Sequence, residues 1–152
     1  MSWLTNQELE QAILRFGDKN VCQAFRGVYP MDQLPHVVEP PAFIIVNTDV
    51  HNLPGKHWMV LFVDEDFYGE VFDSLAFPLS NAVIRFMNKH TRLWTFNRLA
   101  YQHPFSPSCG VFVLYYVTQR LYYDSLNHFC HTLTTDISVN ERMMQNFYKS
   151  LQ

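Results

Sequence analysis

The sequence lacks most of the features that mark common functional classes. Its three cysteines, Cys22, Cys109 and Cys130, include no CxxC pair, which argues against a zinc ribbon. An odd count with no disulfide framework suits a reducing compartment. No apolar run approaches the ~18 residues that a membrane span needs. The start MSWLTNQELEQ is polar and acidic, unlike a secretory signal. A soluble, intracellular protein with no membrane contact is therefore expected. Neither GxxxxGK[ST] nor GxGxxG occurs, so nucleotide chemistry has no support. Repeats, low-complexity tracts and linker-like stretches are also missing. Charged residues make up only 16% of the chain, against a usual quarter, which excludes a highly solvated or disordered protein. The net charge of −3 offers no general attraction for nucleic acid.

Apolar and aromatic residues are abundant. At 152 residues, 48% of them hydrophobic and 16% aromatic, the chain can bury a core. One domain, residues 1–152, is expected. Thr5 with Glu8 reads as a capping box for a helix with Leu9, Ala12, Ile13 and Phe16 on one face, closed by Gly17. Residues 18–41 hold four prolines and read as irregular. Ala42 to Asn47 reads as a buried strand, and His57 to Asp64 with Gly69 to Asp73 as a hairpin. Ser80 caps a helix to Lys89, with Val83, Ile84 and Met87 inward. Leu93 to Asn97 is a further strand. Tyr101 to Ser108, with two prolines, is a loop. Cys109 to Tyr123 is apolar almost all round and predicts a core helix. Two more helices are expected near Ser125–Thr132 and from an Asn140 cap to Leu151. The inventory is α+β: a small, mainly antiparallel sheet packed by helices.

Cys109 follows HPFSPS and opens the most apolar helix, since Pro107 breaks any helix upstream. A helix N-terminus carries partial positive charge and unpaired N–H groups, and both favour the reactive thiolate. Gly110 leaves room for a substrate backbone beside the sulfur. The alternative is a small buried hydrophobe, which is what most free cysteines are. A thiol nucleophile needs a base. Among seven histidines, His57 opens a strand after a Gly-containing loop, with Trp58 next to it as a shield. His103 is nearer in sequence but sits on a less rigid loop. Spacing alone does not decide between them. Asp73 ends the strand paired with that of His57, so the two side chains can meet at one open end of the hairpin. Asp64, Glu65 and Asp66 lie about 20 Å off at ~3.3 Å per residue. Glu70 is mid-strand and expected to face solvent. Gln102 is a candidate oxyanion donor beside the Cys109 N–H, or else a solvated loop residue.

Weaker constellations exist. His128 and His131 in HFCH are one turn apart, but too few further ligands are evident for a metal. No metal or cofactor is expected. Cys22 reads as structural. The tyrosines 115, 116, 122 and 123 lack interleaved basic residues, so they read as packing rather than base stacking.

These residues resemble the adenovirus-type cysteine proteases (adenains). Ile45-Val46-Asn47-Thr48 followed by Gly55-Lys56-His57-Trp58-Met59 is similar to their His region, and Phe72-Asp73-Ser74-Leu75 to their acidic position. Gln102, then Cys109-Gly110-Val111-Phe112 seven residues on, resembles their oxyanion glutamine and nucleophile. Gln7-Glu8-Leu9 and Gly27-Val28-Tyr29 add to a likeness spanning about residues 5 to 125. The resemblance implies an adenain/papain-like fold with rearranged chain order. It implies Cys109 as nucleophile, His57 as base and acid, Asp73 as orienter and Gln102 as oxyanion donor. Gly55 and Lys56 would line a substrate groove, with Trp58 and Gly110 as further substrate-contacting positions. The function implied is maturation cleavage of viral precursor polypeptides near glycines, in virion and host nucleus, by an enzyme of an adenovirus-like or polinton/adintovirus-like element. The same His-Asp-Gln-Cys order marks proteases that deconjugate SUMO- or ubiquitin-like modifiers, the alternative reading. A third is a non-catalytic scaffold on this fold. Adenains take an activating viral peptide through a cysteine upstream of the glutamine. Lys89 to Arg98 contains none, so any such peptide here is not disulfide-linked. Their stimulation by DNA finds little support in a mildly acidic chain.

Overall fold

A computed structural model describes residues 3–48 and 57–152. The elements run α1 (Asn6–Phe16), α2 (Lys19–Ala24), β1 (Phe25–Pro30), β2 (Ala42–Thr48), β3 (His57–Val63), β4 (Tyr68–Phe72), α3 (Asn81–His90), β5 (Leu93–Phe96), α4 (Cys109–Gln119), a 3₁₀ turn (Arg120–Tyr122), α5 (Leu126–Cys130) and α6 (Ile137–Ser150). The five strands form one sheet in the order β1-β2-β3-β4-β5. Its centre is antiparallel, β2 to β3 to β4, while each edge strand pairs in parallel, β1 with β2 and β5 with β4. The α+β class holds, with a mixed rather than mainly antiparallel sheet.

Alternation along the strands builds two cores. Phe43, Ile45, Trp58, Val60, Phe62 and Phe72 face one side, where α1, α4, α5 and α6 pack. Ala42, Ile44, Val46, Met59, Leu61 and Val71 face the other, covered by Val83, Phe86 and Met87 of α3. A strand buried on both faces reads as a continuous apolar run, which is the pattern of β2 and β3. Helix α4 is buried on nearly every side and lies against β3. The aromatic stack beneath it, with Phe72 and Tyr116 rings 4.9 Å apart, fixes its height above the sheet.

Three local expectations are corrected. Residues 18–41 are not wholly irregular: Asp18 caps α2 through Val21 N (2.9 Å), and β1 follows, with a bulge and Gly27 at φ 110°. The prolines fall at the end of β1 and beyond it. Helix α6 starts at Ile137, capped by Asp136, whose carboxylate accepts from Ser138 N and Val139 N, while Asn140 sits buried inside the helix. Glu70 does not face solvent. It is buried, gripped by Arg120 Nε (2.6 Å) and Nη2 (2.8 Å), with Tyr116 O–H donating as a third partner.

Candidate active site

The β3–β4 register pairs Val60 with Phe72, so the open end of the hairpin sets His57 beside the residues just past β4. There His57 Nε2 lies 2.7 Å from Asp73 Oδ1, with both side chains buried. A carboxylate can only accept, so in the neutral imidazole the proton sits on Nε2 and the lone pair on Nδ1. That Nδ1 is buried and meets no hydrogen-bond partner among the described residues.

Asp73 is itself held firmly. Its carboxylate accepts from Leu75 N (2.9 Å) and Phe77 N (3.2 Å) in a tight turn closed by Ala76 N on Asp73 O (2.9 Å). Ala76 takes φ 50° to make that turn, a left-handed conformation that costs a non-glycine residue roughly 1–2 kcal/mol. Asn97, just past β5, bonds both sides of the Asp73 backbone: its Oδ1 accepts from Asp73 N (2.9 Å) and its Nδ2 donates to Asp73 O (2.7 Å). The Phe77 ring packs 5.5 Å from the imidazole. Asp73 and Phe77 also border a groove of 470 Å³ lined by Leu79, Ile84, Trp94 and Phe96.

Cys109 is the first residue of α4, and only 1% of it is exposed. Burial pushes its thiol up to about 12. The backbone N–H groups of Trp58, Gly110 and Cys109 itself pull the other way, and the Asp73 charge pushes up again. The sulfur therefore lies against the amide that follows His57 and within the field of its carboxylate partner. With burial dominant, the resting thiol is protonated.

Gln102 is buried and oriented. Its Oε1 accepts from Ser74 O–H (2.5 Å), so its Nε2 points into the loop and gives one proton to Ser106 O (3.0 Å). Ser74 O also accepts from Tyr101 N (2.8 Å) and Gln102 N (3.1 Å), tying the glutamine to the turn that carries Asp73.

The structure brings His57, Asp73 and Cys109 together and anchors Gln102 to the same turn. Gly55 and Lys56 lie outside the described residues. Trp58 and Gly110 are corrected as substrate-contacting positions. The Trp58 ring is in the core, with its N–H on Asn6 Oδ1 (2.6 Å), and a Cβ on Gly110 would stand 3.0 Å from the Leu4 side chain. Both contribute backbone amides instead. His103 is exposed, its Nδ1 accepting from Phe105 N (3.2 Å). Among the described residues no group of three or more His, Cys, Asp or Glu side chains is placed to hold a metal. No helix among them is long and apolar enough to cross a membrane. Sequence reasoning passed over Ser74 and Asn97. Parallel pairing of β5 with β4 is the signal that would have set Asn97 beside Asp73.

A helix delivering a cysteine to a His–Asp pair at the end of such a sheet is the fold of the papain- and adenain-like cysteine proteases. Solved structures share this fold. The crystal structure of the African swine fever virus pS273R protease superposes with a TM-score of 0.61 at 24% identity, covering 94% of this chain and 66% of that one. ChlaDub1 from Chlamydia trachomatis gives a TM-score of 0.55 at 14% identity, over 99% and 79%. In sequence the chain is similar to the cysteine protease pS273R of African swine fever virus, 32% identical over 117 residues, which is 69% of this chain and 40% of that protein. The homologous protein of another isolate, named a SUMO-1 cysteine protease, is 32% identical over 104 residues, 60% of this chain and 38% of its own. The chain thus spans about two fifths of these relatives. No family model matches it.

Proposed function

We propose that this chain is a cysteine peptidase of the pS273R type, with Cys109 as nucleophile, His57 as base and acid, Asp73 as orienter, and the Cys109 N–H and Gln102 Nε2–H as oxyanion donors. The observation that carries this reading is the His57–Asp73 contact, which leaves Nδ1 unprotonated at the end of the sheet where the Cys109 sulfur lies. In the proposed reaction Nδ1 takes the Sγ proton as the sulfur attacks the scissile carbonyl carbon. The carbonyl electron pair moves onto oxygen, facing the two donors. The C–N bond then breaks, and the leaving amine takes the proton from Nδ1. Water, deprotonated by the same nitrogen, hydrolyses the thioester and restores the thiol. Burial pushes the thiol above its ordinary range, and in this reading its activation falls to His57.

Of the two expected substrate classes, the C-termini of SUMO-like modifiers have the better support, since one relative is named a SUMO-1 cysteine protease. Cleavage of virion precursors at glycine-containing sites, in virion and host nucleus, is the second reading. It is favoured by the viral source of the relatives and the adenain-like His, Asp, Gln and Cys segments. The two are separated by offering the protein a SUMO vinyl sulfone probe and a panel of glycine-containing peptides. Covalent capture by the probe at Cys109, absent in Cys109→Ala, supports the first. Peptide cleavage without capture supports the second. Neither reaction, in a folded protein, ends the peptidase reading.

A further inference from the structure

Ser108 occupies the N-cap position of α4 yet makes no capping bond. A serine there ordinarily accepts from the second or third amide of the helix. Its hydroxyl instead turns to Glu141 Oε1 on α6 (3.1 Å), although Ser108 is fully buried. Glu141 collects two more donors from the same loop: His103 N (2.9 Å) and Ser106 O–H on Oε2 (2.9 Å). The two serine hydroxyls are 2.8 Å apart and close the triangle. The neighbouring Asn140, fully buried, donates to Tyr101 O (3.2 Å). Two adjacent residues of α6 therefore grip the loop from Tyr101 to Ser108 at both ends. That loop carries Gln102 at its start and delivers Cys109 at its end, and the Gln102 amide is braced on Ser106 within it.

From this geometry we infer that Glu141 is a positioning residue of the proposed peptidase. It draws the Ser108 hydroxyl off the helix end, so the first amides of α4 are left to the sulfur and the oxyanion, and it fixes the loop that aims Gln102. Glu141 meets its partners at one side of the loop and is given no proton-transfer role. The inference rests on the peptidase reading. A carboxylate suits the position because it offers acceptors to three donors at once, a task no neutral side chain of smaller size can perform. Glutamine keeps one carbonyl oxygen for two of the donors, and its amide can face the Ser106 oxygen.

The test compares Glu141→Ala and Glu141→Gln with wild type in the full chain, using whichever of the SUMO-derived or glycine-containing substrates the wild type cleaves. Misplacement on the ångström scale costs about 100-fold in rate. Glu141→Ala is expected to lower kcat about that much, with KM within roughly twofold and cooperative unfolding retained at a somewhat lower melting temperature. Glu141→Gln is expected to recover most of kcat. An unchanged kcat in Glu141→Ala overturns the inference, as does a loss that Glu141→Gln does not repair. Iodoacetamide labelling of Cys109, read by mass spectrometry, needs no substrate and separates the two levels. If wild type and Cys109→Ala are equally inert to every substrate, the peptidase reading fails by itself. The loop role is then judged from labelling, where equal rates in wild type and Glu141→Ala overturn it and a change of about tenfold or more, repaired by Glu141→Gln, upholds it.

Discussion

Two buried carboxylates stand three residues apart, Glu70 within β4 and Asp73 just beyond it, and they are solved in opposite ways. Glu70 meets a guanidinium that never gives up its proton and a tyrosine hydroxyl that burial, with Glu70 beside it, keeps protonated. Neither of these two partners changes charge near neutral pH. Asp73 meets an imidazole instead, and its remaining oxygen valences are filled by backbone amides. Both lie beneath α4: Cys109 at its first turn is near Asp73, and Tyr116 and Arg120 toward its other end cover Glu70. One end of the helix is thus locked to the sheet by fixed charge, while the other carries the residues of the proposed proton transfer.

Exchanging the carboxylates for amides sets the two regions against each other. Asp73→Asn must place an NH2 group against donors, either the imidazole N–H and the Leu75 amide on one side or the Phe77 amide on the other. The imidazole tautomer is lost, and peptidase activity is expected to fall about 10⁴-fold with the fold retained. Glu70→Gln should leave kcat within a fewfold of wild type, and equal losses in the two variants would dissolve the contrast. Next in size, Glu70→Ala strands Arg120 in the core and should cost about 3–5 kcal/mol in urea unfolding. Asn97→Ala leaves the buried Asp73 N–H without its partner, while the C=O keeps Ala76 N, and should cost about 1–3 kcal/mol.

The smallest effect is in alkaline solution. Burial raises the Cys109 thiol to about 12 and pushes Cys130, Tyr101 and Tyr116 upward too. The folded chain then binds these protons more tightly than the unfolded chain, whose thiols titrate near 8.5. This stability is complete below about pH 8.5 and is lost as pH rises toward the folded value. Cys109→Ala removes one of these contributions. Its urea midpoint should therefore fall less than that of wild type between about pH 9 and about pH 11.

The site was more legible than its supports. The Thr5–Glu8 box, the apolar α4 and the hairpin are local signals, and hairpin geometry alone selects Asp73 over Asp64, Glu65 and Asp66 as partner for His57. What stayed hidden depends on pairing across long separations. Strand β1 needs β2 beside it in parallel, and Gly27, Pro30 and the prolines that follow mask it. The partner of Glu70 lies 50 residues away, so alternation alone misassigns it to solvent. Asn97 and Glu141 act through contacts 24 and 33–38 residues long that no local pattern announces. Gly110 was read as open to substrate because sequence does not reveal that Leu4 fills that space.

The most direct measurement is the rate of Cys109 labelling by iodoacetamide from about pH 6 to about pH 11 in wild type and His57→Ala, read by mass spectrometry. Burial pushes the thiol up to about 12. Reactivity near neutral pH must then come from His57, so the wild-type profile should hold a plateau there, while the His57→Ala rate climbs tenfold per pH unit from a low base. Superimposable profiles would contradict transfer of the Cys109 proton to His57.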